Sequence, residues 1–348
     1  MRTRTRLQAA VLVLVVTVVV SVLLGLLHVP SPVLFGALGG GMAQALTSPV
    51  RLELPHPVAR LGQGLVGVTI GTMISFSALA SMGSDSPTII AVTLGTVVVS
   101  LVAGRLLALR EDVSQMTGAF AMIVGGASGV VAVARDLGAD DRVVTVVQYL
   151  RVFVVLLIMP VVTAVVFRPE RGQGSLSTRD TALLPSLAYV VVSLGVGLLV
   201  AAVVPVATAS LLGPLLVAAV VASAGWLGPV GVPAPLQWLA YGLIGVQVGL
   251  RFTRESLAAI ARMLPAVLGI MVAMVAATAA MGAVLAVVTP VDGLTAYLAT
   301  TPGGLFAVLA TAADSGSDVT YVMAVQLVRL LVILLCTPLL ARWLRRRA

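Results

Sequence analysis

Apolar runs of about 18 residues or more, nearly free of charged side chains, recur along the whole chain, and about 20 such residues suffice to cross a bilayer as a helix. Lipid offers the backbone no hydrogen-bond partner, so runs like these must satisfy their own N–H and C=O groups as helices. A lumen-lined barrel would need strands that alternate polar and apolar residues, and these runs do not alternate. Composition agrees. Of 348 residues 59% are hydrophobic and 10% charged, against roughly 45–50% and about 25% in soluble domains. The fold class is an all-α polytopic membrane protein.

The net charge of +8 comes wholly from arginine, with no lysine in the chain. The arginines fall between apolar runs, which is the positive-inside pattern of a membrane protein, so the partner they imply is membrane lipid and no direct nucleic-acid binding is expected. Cys336 is the single cysteine, and His28 and His56 are the two histidines. No Cys/His cluster with metal-ligand spacing can be built from them, so no metal site is expected. No Ser/His/Asp set, Walker loop or dinucleotide fingerprint is present either. The expectation is a protein that is not an enzyme, has no catalytic residues and holds no cofactor. The N-terminal run Ala9–Leu27 ends in His28-Val29-Pro30 without a small-x-small cleavage site. It reads as a first span starting in the cytoplasm.

Laid on itself at an offset of 178 residues, the sequence gives a long gap-free match. Gly64, Gly67 and Gly71 fall on Gly242, Gly245 and Gly249, and Gly125-Gly126 on Gly303-Gly304. Gly138, Asp140, Gln148, Arg151 and Pro160 fall on Gly316, Asp318, Gln326, Arg329 and Pro338. Leucine and valine runs align by chance, whereas glycines, prolines and rare membrane polars do not. The expected organisation is a first membrane repeat at 1–167, a polar linker at 168–181 and a second repeat at 182–348.

Each repeat carries six apolar segments: 8–27, 33–49, 58–82, 88–108, 114–137 and 143–167, then 182–205, 210–226, 235–250, 264–288, 294–313 and 319–341. The fifth of each set is interrupted, by GGASG at 125–129 and TPGGLF at 301–306, and paired glycines weaken a straight helix. If these segments cross, the chain has twelve spans and parallel repeats, with fourteen arginines inside and five outside. If they enter and return on one side, each repeat has five spans plus one re-entrant glycine-rich hairpin, and the repeats are inverted. Sixteen arginines then lie inside and three outside, and the positive-inside rule favours this arrangement. Both termini are cytoplasmic in it.

The sharpest polar feature is duplicated. Asp140, Val144, Gln148 and Arg151 follow one another at helical spacing, and Asp318, Val322, Gln326 and Arg329 repeat the pattern. An arginine at bilayer depth costs on the order of 2.5–3.5 kcal/mol, so it persists only with a partner or facing water. Two readings are open. Arg151 and Arg329 hold an anionic substrate group through the guanidinium fork, with Gln148 and Gln326 beside them and Asp140 and Asp318 in support. Alternatively, each arginine holds a helix end or a re-entrant backbone through carbonyl bonds or its own aspartate. Gly125, Gly126, Ser128 and Gly129, and Thr301, Pro302, Gly303 and Gly304, belong to the hairpin tips in the first reading. There, backbone amides receive an anion and carbonyls receive a cation. In the second they serve close helix packing. The GxxGxxxG sets at Gly64–Gly71 and Gly242–Gly249 favour packing.

These stretches, together with LGQGLVGVTIGTMIS and LLGPLL at 211–216, resemble the AbrB family of bacterial membrane proteins, members of which are often labelled ammonia monooxygenases. The resemblance covers nearly the whole chain. It implies an inner-membrane protein, and the family name implies a role in regulating the expression of another gene. Family members often carry Pro-Gly-Gly in the first repeat, where this chain has Val124-Gly125-Gly126. More loosely, the glycine-pair hairpins resemble citrate and glutamate sodium symporters. The expected function is a secondary transporter or exporter of a small anionic metabolite, compatible with a coupling Na+ or H+ and with a homo-oligomer. The alternative is a membrane regulator acting through a partner. Ammonia oxidation would need several metal ligands that two scattered histidines cannot supply.

Overall fold

The computed structural model describes residues 2–27, 29–48, 50, 52–74, 76, 80, 83, 86–111, 113–124, 134, 138–168, 182–204, 208–252, 254, 258 and 260–345, with backbone alone for 2–6, 141 and 334–345. Among these there are thirteen α-helices and no strand. They are α1 (Arg2–Leu26), α2 (Pro32–Thr47), α3 (His56–Gly71), α4 (Ser86–Leu107), α5 (Gln115–Met122), α6 (Asp141–Val162), α7 (Leu183–Val203), α8 (Ala209–Ala224), α9 (Ala234–Gly249), α10 (Leu264–Val288), α11 (Gly293–Thr300), α12 (Leu305–Ser315) and α13 (Val319–Arg345). Five described helices are long and apolar enough to cross a membrane: Leu7–Leu26, Ser86–Leu107, Arg142–Phe167, Leu183–Val203 and Leu264–Val288. Their outward faces are apolar, as at Leu14, Val18 and Val22 on α1, and Leu199 and Val203 on α7. Surfaces like these suit lipid and would be a liability in water.

Local signals explain where the helices start and stop. Ser114 and Asp292 cap α5 and α11: the Ser114 hydroxyl accepts from the Thr117 N–H, and the Asp292 carboxylate from the N–H groups of Leu294 and Thr295. Both short helices end in an extended residue, Ile123 or Thr301, where the chain meets its glycine pair. At about 1.5 Å per residue, the eight residues of each reach about 12 Å, far less than a bilayer's hydrocarbon core. Gly138 and Gly316 both take the left-handed conformation, with φ of 78° and 74°, and the chain turns there into α6 and α13. A side chain at either position would meet the Cβ–carbonyl clash that glycine avoids. Pro160 lies inside α6, and a π-helical turn at Thr163–Phe167 follows it. A proline removes one backbone donor, and a local change of helical pitch commonly accompanies such a loss.

The chain forms two compact units, each drawn from both halves of the sequence. One comprises Met1–Phe76, Pro160–Arg254 and Phe306–Thr320; the other comprises Ser77–Met159, Glu255–Leu305 and Tyr321–Ala348. In the first, α2 packs on α1 and α9, while α8 packs on α7 and α3. Glycines set these contacts. A Cβ on Gly36 or Gly40 would run into Ser21 or Thr17 of α1, and one on Gly213 into the Gly197 carbonyl of α7. Gly67 and Gly71 lie against Leu211 and Leu215, and Gly245 and Gly249 lie against Leu34 and Leu38. The contacting numbers rise together, so α3 runs alongside α8 in the same direction, and α9 alongside α2. Backbones this close gain dispersion contacts that larger residues would prevent. In the second unit, α4 packs on α5 and α10, and α10 on α11. Gly104 fits under Gly118 and Ala119, and Gly282 under Ala296 and Tyr297.

The close approaches are directly testable. A Cβ at position 245 would sit 2.7 Å from the Ala37 side chain, whereas one at 269 meets nothing within 4 Å. Gly245→Ala is therefore expected to destabilise the protein by about 1–3 kcal/mol through overpacking. Gly269→Ala is expected to be neutral or stabilising by up to about 1 kcal/mol through helix propensity. Thermal unfolding of the two variants in detergent checks the contrast.

Candidate functional site

Two side-chain pairs on α6 and α13 close the carbonyl ends of the short helices. Gln148 and Arg151 lie about one turn apart on α6 and are almost fully buried. The Gln148 Nε2 donates to the carbonyls of Phe120 at 2.7 Å and Ile123 at 3.0 Å. The Arg151 Nη1 donates to Ile123 at 2.8 Å and Met122 at 3.3 Å, and its Nη2 donates to the Gln148 Oε1 at 2.9 Å. On α13 the Gln326 Nε2 donates to Leu298 at 3.0 Å, Thr301 at 3.2 Å and Ala299 at 3.3 Å. The Arg329 Nη1 donates to the Thr301 carbonyl at 3.0 Å, and its Nη2 to the Gln326 Oε1.

The physical reason is the same in both places. A helix that stops leaves its last four carbonyls without intrahelical partners, and its C-terminus carries a partial negative charge. Inside an apolar surround those carbonyls cannot be left bare. A guanidinium supplies both the donors and the opposite charge, and the glutamine amide supplies further donors while accepting from the arginine.

The second unit thereby brings together Gln148, Arg151, Thr301, Gln326 and Arg329. Gly304 belongs with them: a Cβ there would lie 3.4 Å from the Val152 side chain, next to Arg151. Thr301, Pro302 and Gly303 are buried beside it, and Gly304 is half-buried. Among the described residues neither Arg151 nor Arg329 pairs with a carboxylate, and the Arg151 Nε–H has no acceptor. Gly125, Gly126, Ser128 and Gly129 lie outside the described residues.

Asp140 serves its own helix. The Asp140 carboxylate caps α6 by accepting from the N–H groups of Arg142 at 2.9 Å and Val143 at 3.1 Å. Its own N–H donates to the Thr117 Oγ1 at 3.0 Å, which ties the start of α6 to the start of α5. Asp318 is exposed and immediately precedes α13. Among the described residues, no group of three His, Cys, Asp or Glu side chains could hold a metal ion.

The structure also holds a polar cluster that the sequence reading left in a loop. Segment 294–313 stops one residue short of Asp314, yet α12 continues to Ser315 and includes it. In the first unit the Ser31 Oγ donates to the Asp314 Oδ2 at 2.7 Å, and the Tyr241 Oη donates to Oδ1 at 3.3 Å. One signal was available: Asp136 stands at the matching position of the first half, so Asp-x-Gly-x-Asp occurs at 136–140 and again at 314–318.

The glutamine's share of the clamp can be measured. Gln326→Leu strips the amide donor from three buried carbonyls, and the loss is expected to cost about 1–3 kcal/mol. Because Gln326 and Arg329 share an acceptor, combining Gln326→Leu with Arg329→Ala should cost less than the sum of the two changes, as read by thermal unfolding.

The model of the AbrB family, described as "Transition state regulatory protein AbrB", matches residues 33–345. A protein of Escherichia coli (strain K12) named "Putative regulator AbrB" is 32% identical over 326 residues, covering 91% of each chain. A protein of Bacillus subtilis (strain 168) named "Uncharacterized protein YhjN" is 23% identical over 293 residues, covering 80% of this chain and 76% of its own length.

Proposed function

The chain belongs to the AbrB family, and from that premise we propose that it is an inner-membrane secondary transporter of a small anionic metabolite, not an enzyme. The observation that carries the reading is the pair Arg151 and Arg329. Two buried guanidiniums lie in one compact unit, and no described carboxylate neutralises either. An anion received there would supply the missing counter-charge and accept from a donor that the helix ends leave over, the Arg151 Nε–H. The interrupted segment adds a further attraction, since α12 starts at Leu305, directly after Gly304, and the first turn of a helix is positive. Broken helices around a midplane site are a recurring device of alternating-access transporters.

The same proposal takes the two halves, 1–167 and 182–348, as inverted repeats of five spans and one re-entrant hairpin each, joined by the linker at 168–181. Helix starts support it: α3 and α9, α5 and α11, and α6 and α13 each begin 178 positions apart. Hydrogen bonds support it too, since Gln148 to Phe120 and Ile123 recurs as Gln326 to Leu298 and Thr301. Helix directions bear on inversion. With the N-terminus cytoplasmic, α2 runs inward and α3 outward, and α9 runs with α2 while α8 runs with α3. Parallel repeats would require the opposite. A cavity of about 570 Å³ is lined by His56 and Arg60 at the start of α3, Ser210 at the start of α8, and Ala201 and Ala202 near the end of α7. These ends share the cytoplasmic side only if the repeats are inverted. The Arg254 Nε donates to the Leu46 carbonyl at the end of α2, which is the same relation again.

A regulatory reading is favoured by one observation, the word "regulator" in the name of the Escherichia coli relative. It is compatible with transport, since moving an effector metabolite changes what a separate regulator senses.

Two experiments test these statements. In a thermal-shift screen against small carboxylates and inorganic anions, at least one anion is expected to stabilise the protein by about 2.7 kcal/mol at 100 times its Kd. Arg151→Lys and Arg329→Lys keep the charge and lose the planar fork, so they should fold and show at least a tenfold weaker response. Wild-type responses in both folded variants would end the arginine reading. Single cysteines placed between Arg251 and Arg262, in a background with Cys336→Ser, should label only from the cytoplasmic side. Labelling from the periplasm would restore twelve spans and parallel repeats.

A further inference from the structure

We propose that Asp314, with Ser31 and Tyr241, forms a proton-binding site at the end of α12, and that its proton is the coupling ion of the transport reading, on which that last use rests. A carboxylate in an otherwise apolar membrane protein costs several kcal/mol unless it is partnered, and residues of this kind mark ion pathways. Asp314 is half-buried, and each of its carboxylate oxygens has a hydroxyl partner. Ser31 is 1% exposed and takes φ 52° between Pro30 and Pro32, so its hydroxyl is fixed in place at the start of α2. Tyr241 is 3% exposed on α9.

The arrangement satisfies both protonation states without moving a heavy atom. When Asp314 is charged, the hydroxyls of Ser31 and Tyr241 donate to its two oxygens, at 2.7 and 3.3 Å. The Ser31 Oγ also lies 3.3 Å from the Ala310 carbonyl, one turn back on α12. When a proton from water binds Oδ2, the carboxyl O–H donates to the Ser31 Oγ, whose own hydrogen then turns to the Ala310 carbonyl. A hydroxyl can donate and accept, so Ser31 reverses its role and no buried group is left bare. The proton arrives from a hydronium ion, whose O–H bond breaks as the carboxyl O–H forms, and it leaves to water by the reverse steps.

The electrostatic surround suits a proton. Tyr241, from α9, is the titratable group that faces the carboxylate; Ser31, from the start of α2, does not titrate, and α12 presents no other charged side chain to it. No described arginine pairs with it, so no fixed cation locks it in the charged state. His28 lies outside the described residues. In the proposed topology Ser31 and Asp314 both belong to the periplasmic side, which is where an inward-directed proton gradient would load the site.

Infrared difference spectroscopy of the full-length protein in lipid nanodiscs, titrated with acid, reads the site without needing the transported anion. Wild type is expected to gain a protonated-carboxyl stretching band that Asp314→Asn lacks. Ser31→Ala keeps the acid and removes the relay, so the same band should appear at a different pH, and this variant covers the case in which Asp314→Asn does not fold. An identical band in folded Asp314→Asn, an unshifted band in Ser31→Ala, or a band that follows sodium at fixed pH instead of acid would each overturn the proposal. Absence of any anion response in the wild-type protein, with the band intact, would instead defeat the arginine reading and leave the proton site standing.

Discussion

An interrupted helix in an apolar surround needs donors for its terminal carbonyls, and that requirement organises the second unit. Water would satisfy a helix end in a soluble protein, but lipid cannot. The chain answers with an arginine and a glutamine three positions apart on the following long helix, twice. Without them the breaks at Ile123 and Thr301 would expose carbonyls, and α5 and α11 would be unsupported at their C-termini. Lysine could supply charge there, but not two parallel donors set at a fixed angle. The clamp on α13 therefore permits the non-helical stretch at Thr301–Gly304, and with it any site that uses exposed backbone there.

The first unit rests on a different constraint, the absence of side chains at its crossings. Hydrophobic burial gives little drive between helices already surrounded by lipid, so contact has to come from close packing. Gly67 and Gly71 on α3 and Gly245 and Gly249 on α9 let backbone meet backbone across α8 and α2. Each half of the sequence lends its third helix to the other half's second. That exchange explains why neither compact unit coincides with a stretch of sequence. A duplication of sequence is a statement about ancestry along the chain, while compactness follows where the glycines and the clamps place the helices.

Much of this is legible in the sequence because the informative residues are the rare ones. Runs of valine and leucine announce helices and lipid but carry no register. The glycines at 67, 71, 245 and 249 and the pairs at 148 and 151 and at 326 and 329 carry it, since each is costly unless it has a partner. The partner itself is not legible. Spacing shows that Arg151 and Gln148 share a face, but nothing local says that they meet the carbonyls of Ile123 and Phe120, because that contact joins segments 28 positions apart. Segment ends are less legible: 58–82 reads as one apolar stretch, yet α3 ends at Gly71, whereas the glycine pair does announce the break of 294–313 at Thr301–Gly304. Hydropathy cannot see a break whose cost is met by side chains elsewhere. Asp314 escaped for the complementary reason, since a single acid at the edge of an apolar run looks like the start of a loop.

The buried charges are arranged so that they do not cancel. Arg151 and Arg329 bond to carbonyls and glutamines, and Asp314 bonds to hydroxyls. Had the chain paired an arginine with this aspartate, the desolvation cost of both would have been offset most simply, and neither would have remained open to an outside ion. Neutral partners do something else. They satisfy the hydrogen-bonding needs of each ionised group while leaving its net charge in place. The charge of each arginine already meets the negative end of a short helix, whereas the described partners of Asp314 are neutral hydroxyls that suit either of its protonation states.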